Sequence, residues 1–206
     1  MPLKPRHASA AAQHKFPTDI CGSTRLRLVR GPFSPHEALH PNQQAMIHFC
    51  SDVLPVIQAR RPATKLLIIG AEPSSEIRNL EENTGVSVTG TVPDVRAYVR
   101  RSALSVAPLA IARGTQNKIL ESMAMGVPVV CSDKAAGGVD AVSGEHLLVG
   151  DSPDQYADNV IRVLESADER RELSIAARQR VLTRHSWSAS MTKLDAIIGA
   201  VVGSPS

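Results

Sequence analysis

A short segment in the middle of the chain combines a glycine, amide side chains and two cations. It runs from Arg113 through Gly114, Thr115, Gln116 and Asn117 to Lys118, at the start of an amphipathic stretch that predicts a helix. The first turn of a helix carries backbone N–H groups without intrahelical partners and the positive end of the helix dipole, and both favour phosphate. Gly114 would let a phosphate approach the backbone closely, and the two cations add positive charge. The segment therefore predicts a phosphate-binding site.

Glu121 follows in the same predicted helix, about one and a half turns from its start. A carboxylate there could reach past bound phosphates to a sugar diol and accept two hydrogen bonds. The alternative is a solvated glutamate on a helix that Thr115 caps. Two other nucleotide motifs are absent from the sequence, because no G-x-G-x-x-G follows the first strand and no G-x-x-x-x-G-K-[ST] occurs. A dinucleotide-dependent oxidoreductase and a P-loop NTPase are therefore disfavoured.

Short apolar runs alternate with amphipathic ones from about residue 26, and these elements must position the candidate site. The predicted strands are 25–30, 65–70, 86–89, 103–108, 127–132 and 146–149. The predicted helices are 41–60, 74–82, 94–102, 116–125, 153–166, 168–183 and 186–202. This alternation predicts an α/β fold, a Rossmann-like doubly wound parallel sheet of about six strands with C-terminal helices. Right-handed crossovers would bring the loops that follow the strands to one edge, where ligands bind.

Several residues within these elements have predicted structural roles. Pro55 should kink helix 41–60 or end its regular part, and Ser152 and Asp94 should cap the helices that follow them. His48 is expected to be solvated, and Trp187 to pack the last helix against the sheet. The run 165–184, rich in arginine and glutamate, predicts a solvated helix face with ion pairs rather than a basic patch.

Composition narrows the class of protein. Hydrophobic residues make up 43% and charged residues 21% of the 206 residues, which is typical of a globular chain and excludes disordered and collagen-like classes. Aromatic residues are only 3%, which argues against the stacking platforms that bind single-stranded nucleic acid. Three widely spaced cysteines, Cys21, Cys50 and Cys131, form no zinc pattern and predict reduced thiols. No run of apolar residues is long enough to span a membrane.

The net charge of +3 is unevenly distributed along the chain. Residues 1–30 hold six basic side chains against Asp19 alone, so the rest of the chain is slightly acidic. Residues 1–24 are therefore predicted to be a disordered leader or linker, and residues 25–200 a folded Rossmann-like domain. A basic nucleic-acid footprint on the folded part is not expected.

The segment from Pro108 to Val130 resembles the C-terminal donor-binding domain of group 1 retaining glycosyltransferases of the GT-B fold. Those enzymes carry a glutamate, seven residues, a second glutamate, then Ala-Met-Ala and Gly-x-Pro-Val-Val, and the ESMAMGVPVV that begins at Glu121 matches the second half. The segment is most similar to a subgroup of sugar transferases associated with exopolysaccharide and exosortase loci. TGTVPDVRAYV at 89–99 and HSW at 185–187 also fit in order, and the resemblance covers residues 41–195.

The resemblance implies a role for each matching position. Glu121 would bind the ribose hydroxyls of a nucleoside-diphosphate sugar, the backbone of 114–117 would meet the pyrophosphate or the transferred sugar, and Gly90 and Val92 would lie beside the base. Arg113 and Lys118 would be candidate stabilisers of the diphosphate. The implied donor-binding residues are Glu121, Gly114, Thr115, Gln116, Asn117, Lys118, Gly90 and Val92.

Two positions depart from the wider family. Arg113 stands where the first glutamate of the signature normally touches the donor sugar, so the identity and geometry of the sugar are open. The loop 31–40 shows no clear phosphate-holding residue, although Arg30 or His36 could serve. Arg113 fits the pattern of the subgroup and is interpreted as a variation.

The expected function is therefore transfer of a glycosyl unit from a UDP- or GDP-sugar to a hydroxyl acceptor, a glycan or lipid-linked sugar, in polysaccharide biosynthesis. The resemblance implies no metal and no cofactor beyond the donor. It implies a cytoplasmic location, with peripheral association at the inner membrane face. The N-terminal acceptor domain of the family is not visible in this sequence, so the chain is expected to be inactive alone. Two alternatives stay open: a non-catalytic nucleotide-binding or interaction module, and a GT-B nucleotide-sugar epimerase.

Overall fold

A computed structural model describes residues 25–28, 41–112 and 114–202 of the chain. The predicted leader 1–24, the loop 31–40 with His36, Arg30 and Arg113 lie outside the described residues. For Trp187 the backbone alone is described, so its predicted packing is not tested. All structural statements below concern the described part.

A parallel sheet forms the centre of the domain. Its strands are β1 (Arg25–Leu28), β2 (Lys65–Ile68), β3 (Val86–Val88), β4 (Leu104–Ala107), β5 (Val129–Cys131) and β6 (Leu148–Val149), in the order β3-β2-β1-β4-β5-β6. In the middle of the sheet, Leu26 pairs with Leu66 on one side and with Leu104 on the other. This order is that of doubly wound dinucleotide-binding folds, whose ligands bind outside the carboxyl ends of the strands.

Helices cover the sheet in two groups. The helices are α1 (Pro41–His48), α2 (Leu54–Arg60), α3 (Ser75–Asn79), α4 (Arg96–Val99), α5 (Asn117–Ala124), α6 (Asp133–Ala136), α7 (Pro153–Glu165), α8 (Ala167–Arg184) and α9 (Trp187–Val202). Helix α7 packs on β4, β5 and β6 and against α2, whereas α5 packs on β4 and β5 and against α8. Buried aliphatic side chains fill the space between sheet and helices, as the low aromatic content predicts.

The helix predicted at 41–60 continues past Pro55 by changing its winding. A π-helical turn over Phe49–Val53 joins α1 to α2, and the N–H of Leu54 donates to the carbonyl of Phe49. Proline has no N–H for the carbonyl four residues earlier, and its ring crowds that carbonyl. The wider turn before Pro55 absorbs this conflict, so the proline changes the winding without ending the helix.

Most other predicted elements are present, with shorter bounds. Helix α4 spans four residues of the predicted 94–102, and the 3-10 turn Leu80–Glu82 completes the helix predicted after Ser74. Asp94 and Ser152 accept backbone N–H groups at the starts of α4 and α7, as predicted. The short helix α6 was not predicted. Ser132 caps it by accepting the N–H of Ala135.

The remaining structural expectations concern thiols, exposure and membrane spans. Cys50 and Cys131 are buried free cysteines, and burial raises the pKa of each thiol to about 12. His48 is exposed, as predicted. No helix in the described part of the chain is long and apolar enough to cross a lipid bilayer.

Candidate functional site

The candidate site lies beyond the carboxyl end of β4, where a segment leads from Pro108 into α5. Helix α5 begins at Asn117, and Gln116 occupies the N-cap position without a capping bond from its side chain. The alternative that Thr115 caps this helix is therefore wrong. The N–H groups of Asn117 and Ile119 donate to the carbonyls of Thr115 and Gln116, so this helix start offers a ligand mainly the positive end of its dipole.

The turn at Gly114 is held by close contacts on one side. Gly114 has a φ of +64°, which favours glycine, and its Cα faces open space. Its carbonyl oxygen accepts the Nε2 group of Gln116 at 3.3 Å. A Cβ added to Gly138 would lie 2.3 Å from the same oxygen, so only glycine fits there. The backbone before α5 is thus held on the side of the Gly114 carbonyl by Gln116 and Gly138, and it is open on the side that the Gly114 Cα faces.

Lys118 has a protein partner in this structure. Its Nζ donates to Oδ1 of Asn42 at 2.7 Å, which ties the start of α5 to the start of α1. Burial lowers the pKa of Lys118 to about 8 from its ordinary value of 10.5. Lys118 thus lies at the predicted phosphate site, and it also links two helices, which the sequence did not indicate.

Glu121 lies on the wall of a pocket of about 490 Å³, within the size range of ligand pockets. The residues that line it are Val92, Pro93, Asp94, Val95, Arg96, Glu121, Ala124 and Met125. The structure therefore brings Val92 and Glu121 together, although they are distant in sequence. Glu121 is exposed, so its carboxylate faces solvent and is accessible to a ligand.

The far wall of this pocket is organised by Asp94. Its Oδ1 accepts the backbone N–H of Arg96 at 2.9 Å and the Nε of Arg96 at 3.0 Å. These hydrogen bonds hold the pKa of the Asp94 carboxyl below its ordinary value and raise the pKa of Arg96. The sequence indicated Asp94 only as a cap, and Arg96 was not considered. Arg96 can be linked to the site only when the fold places residues 92–96 beside α5.

The other predicted site residues are arranged around this pocket. Gly90, with a φ of +67°, opens the loop that leads from β3 to Val92, but it is not among the pocket residues. Thr115 and Asn117 are exposed at the start of α5, whereas Gln116 is buried. Within the described ranges, no group of three or more His, Cys, Asp or Glu side chains is placed to hold a metal ion.

Comparison with known proteins decides the family. A family model described as "Glycosyl transferases group 1" matches residues 37–166. This chain belongs to the group 1 glycosyl transferases. The match includes the Gly114–Lys118 segment, Glu121 and the 92–96 loop, so the candidate site lies within the family region.

Two individual proteins resemble this chain, one in sequence and one in fold. The phosphatidyl-myo-inositol mannosyltransferase of Mycobacterium tuberculosis is 32% identical over 163 residues, covering 74% of this chain and 43% of that protein. The chain thus spans less than half the length of that relative. A mutant of Staphylococcus aureus TarM, solved in a complex that includes UDP, superposes with a TM-score of 0.67 at 16% identity, over 88% of this chain and 36% of that chain.

A third similarity is to a single domain. The C-terminal domain of LpcC, a group 1 family glycosyl transferase of Francisella tularensis, superposes with a TM-score of 0.64 at 15% identity. It covers 79% of this chain and 86% of that domain. At such identities the likeness shows the fold alone. The predicted fold class, half of a GT-B fold, is confirmed.

Proposed function

We propose that this chain is the donor-binding domain of a retaining glycosyltransferase and binds a UDP- or GDP-sugar. The observation that carries the proposal is the position of Glu121, on the wall of the 92–96 pocket and on the helix whose uncapped start follows Gly114. A nucleoside would occupy the pocket and its ribose hydroxyls would donate to the Glu121 carboxylate. The diphosphate would then lie at the start of α5.

The chemistry follows from this placement. Breaking the bond between sugar and diphosphate leaves negative charge on the departing phosphate oxygens. The positive end of the α5 dipole and the Lys118 ammonium group would stabilise that charge, with Arg113 as a further cation. Because the Gly114 carbonyl is fixed by Gln116 and Gly138, the start of α5 would be in position before the donor binds.

The rest of the reaction belongs to the proposal as well. The acceptor would be a hydroxyl of a glycan or lipid-linked sugar in polysaccharide biosynthesis, as the resemblance to the exosortase-associated subgroup implies. A second domain would supply the acceptor site, so this chain by itself should bind donor and transfer nothing.

Isothermal titration with UDP and GDP tests the site. We expect one nucleotide to bind, and Glu121→Ala to weaken it about 10- to 100-fold, because two charge-assisted hydrogen bonds are lost. Glu172→Ala is the matched control, since Glu172 is an exposed glutamate of α8 outside the pocket, and it should bind as the unchanged chain does. Failure of both nucleotides to bind, or equal affinity of the two variants, would overturn the proposal.

A further inference from the structure

A second concave site adjoins the donor pocket at Met125, which lines both. It is a cleft of about 330 Å³ between the segments that lead into β4 and β5 and the first half of α8. The residues that line it are Arg100, Arg101, Ser102, Ala103, Met125, Gly126, Val127, Pro128, Ala167, Arg170, Arg171 and Ser174. Four of these twelve residues are arginines, and none is acidic.

The arginines come from two elements that are distant in sequence. Arg100 and Arg101 follow α4, whereas Arg170 and Arg171 lie on α8. The sequence predicted 165–184 to be an ion-paired face, and Arg162 with Glu169 and Arg180 with Asp140 do form such pairs. The fold nevertheless brings two arginines of this run beside two others. The two salt bridges confirm the predicted ion-paired face, and the cleft is a tertiary feature that the run does not form by itself.

No carboxylate lines this cleft, so the charge of its four arginines is not balanced by the lining itself. None of the salt bridges between described residues involves Arg100, Arg101, Arg170 or Arg171. Two of the carboxylates around the cleft have other partners, whereas Asp168 and Glu172 are near Arg171 in sequence but do not line the cleft. Glu169 binds Arg162, and Asp94, which senses the charge of Arg100, is hydrogen-bonded to Arg96.

Backbone and helix contacts fix the shape of the cleft. Arg170 donates Nη1 to the carbonyl of Val163 at 3.1 Å, so its guanidinium is anchored at the end of α7. Ser174 donates Oγ to the carbonyl of Gly126, which joins α8 to the floor of the cleft. Arg100, Arg101 and Arg171 are exposed and can turn toward a ligand.

We propose that this arginine cleft, which adjoins the donor pocket at Met125, binds a phosphate-bearing group other than the donor. Guanidinium groups match the geometry of phosphate oxygens and bind them with two parallel hydrogen bonds. A cleft of this size that is open to solvent accommodates one or two phosphates together with part of the group that carries them. The phosphate belongs either to a soluble ligand or to a lipid headgroup.

Inorganic pyrophosphate is the soluble probe, added to the 15N-labelled chain in the presence of saturating UDP so that a nucleotide site is not available to it. We expect the amide signals of Ser102 and Gly126 to shift. Arg101→Ala and Arg171→Ala should each weaken binding about tenfold, because each removes a charge-assisted contact. Arg178→Ala is the control: Arg178 is an exposed arginine two turns beyond Arg171 on α8, outside the cleft, and its loss should not alter the affinity.

Sedimentation with phosphatidic acid vesicles, compared with neutral vesicles, distinguishes the two sources of phosphate. Binding of pyrophosphate that depends on Arg101 and Arg171 supports a soluble ligand, and binding only to anionic vesicles with the same dependence supports a headgroup. Binding of neither probe, or equal loss in the Arg178 variant, overturns the proposal. Because nucleotide binding is measured separately through Glu121, failure of one site does not imply failure of the other.

Discussion

Gly138 acts on the candidate site although no ligand need touch it. An added Cβ would lie 2.3 Å from the Gly114 carbonyl oxygen, so Gly138→Ala would force the turn ahead of α5 to move. We expect this variant to lose about 1–3 kcal/mol of unfolding free energy in urea and to bind nucleotide more weakly. Gly137→Ala is the matched control, because its Cβ would meet the Asp133 carbonyl at an ordinary 3.6 Å. Equal stability of the two variants would contradict this account.

Lys118 gives the stability of the domain a defined dependence on pH. Its pKa is about 8 in the fold and near 10.5 when unfolded, so between these values the unfolded chain binds more protons. The contribution of Lys118 to the unfolding free energy therefore rises as pH increases from 8 to 10.5. Urea unfolding at pH 7 and pH 10, compared with Lys118→Met, checks the sign. The comparison is needed because Cys50 and Cys131, with raised pKa values, act in the opposite direction above pH 9.

A stability difference that does not change with pH would contradict this account of Lys118. If the stability difference between the unchanged chain and the Lys118→Met variant is constant across this pH range, Lys118 is not desolvated by the fold. The hydrogen bond to Asn42 would then be a surface contact of little energetic weight.

At the scale of elements, the stability of helix α7 depends on its N-cap, Ser152, and on the proline that follows it. Ser152 accepts the N–H of Gln155 at 3.2 Å, and Pro153 follows at the first helical position. Ser152→Ala should cost about 1 kcal/mol of unfolding free energy, since it removes the N-cap. Ser152→Asp keeps a capping oxygen and should remain close to the unchanged chain. A thermal or urea transition that is identical for the Ala and Asp variants would show that the cap contributes nothing.

The elements themselves were predictable where their hydrophobic pattern was long enough. Strands such as β4 and the helices α7 and α8 follow from apolar runs and clear caps, and Glu121 was placed on the right helix. Helix α6 could not be predicted, because four residues are too few to show a period. The π-helical turn before Pro55 was also missed, since the sequence marks the conflict at proline but not how the backbone resolves it.

The contacts that complete both sites are tertiary, which explains why spacing did not predict them. Lys118 meets Asn42, and Gly138 meets the Gly114 carbonyl, only because the parallel sheet aligns the segments after its strands. The arginine cleft arises in the same way, where the segments that lead into β4 and β5 meet α8. Resemblance supplied the link between Val92 and Glu121, whereas residue chemistry alone left Glu121 undecided.

At the scale of the whole molecule, α5 connects the two sites. It begins at the candidate phosphate site and ends at Met125 and Gly126, which line the arginine cleft. An eight-residue helix spans about 12 Å. The donor pocket also reaches Ala124 and Met125, so the two ligands would lie next to each other at the end of one rigid element. Its packing on β4, β5 and α8 holds both ends to the core.

The central place of β1 has a consequence for how the chain folds. This strand, first in the described sequence, lies between β2 and β4, and it alone joins β2 and β3 to the other half of the sheet. Its partners come much later in the chain, so pairing must close long loops before it gains hydrogen bonds. During synthesis, β1 can therefore pair with β4 only after β4 has left the ribosome. The sheet cannot be completed from its N-terminal half alone.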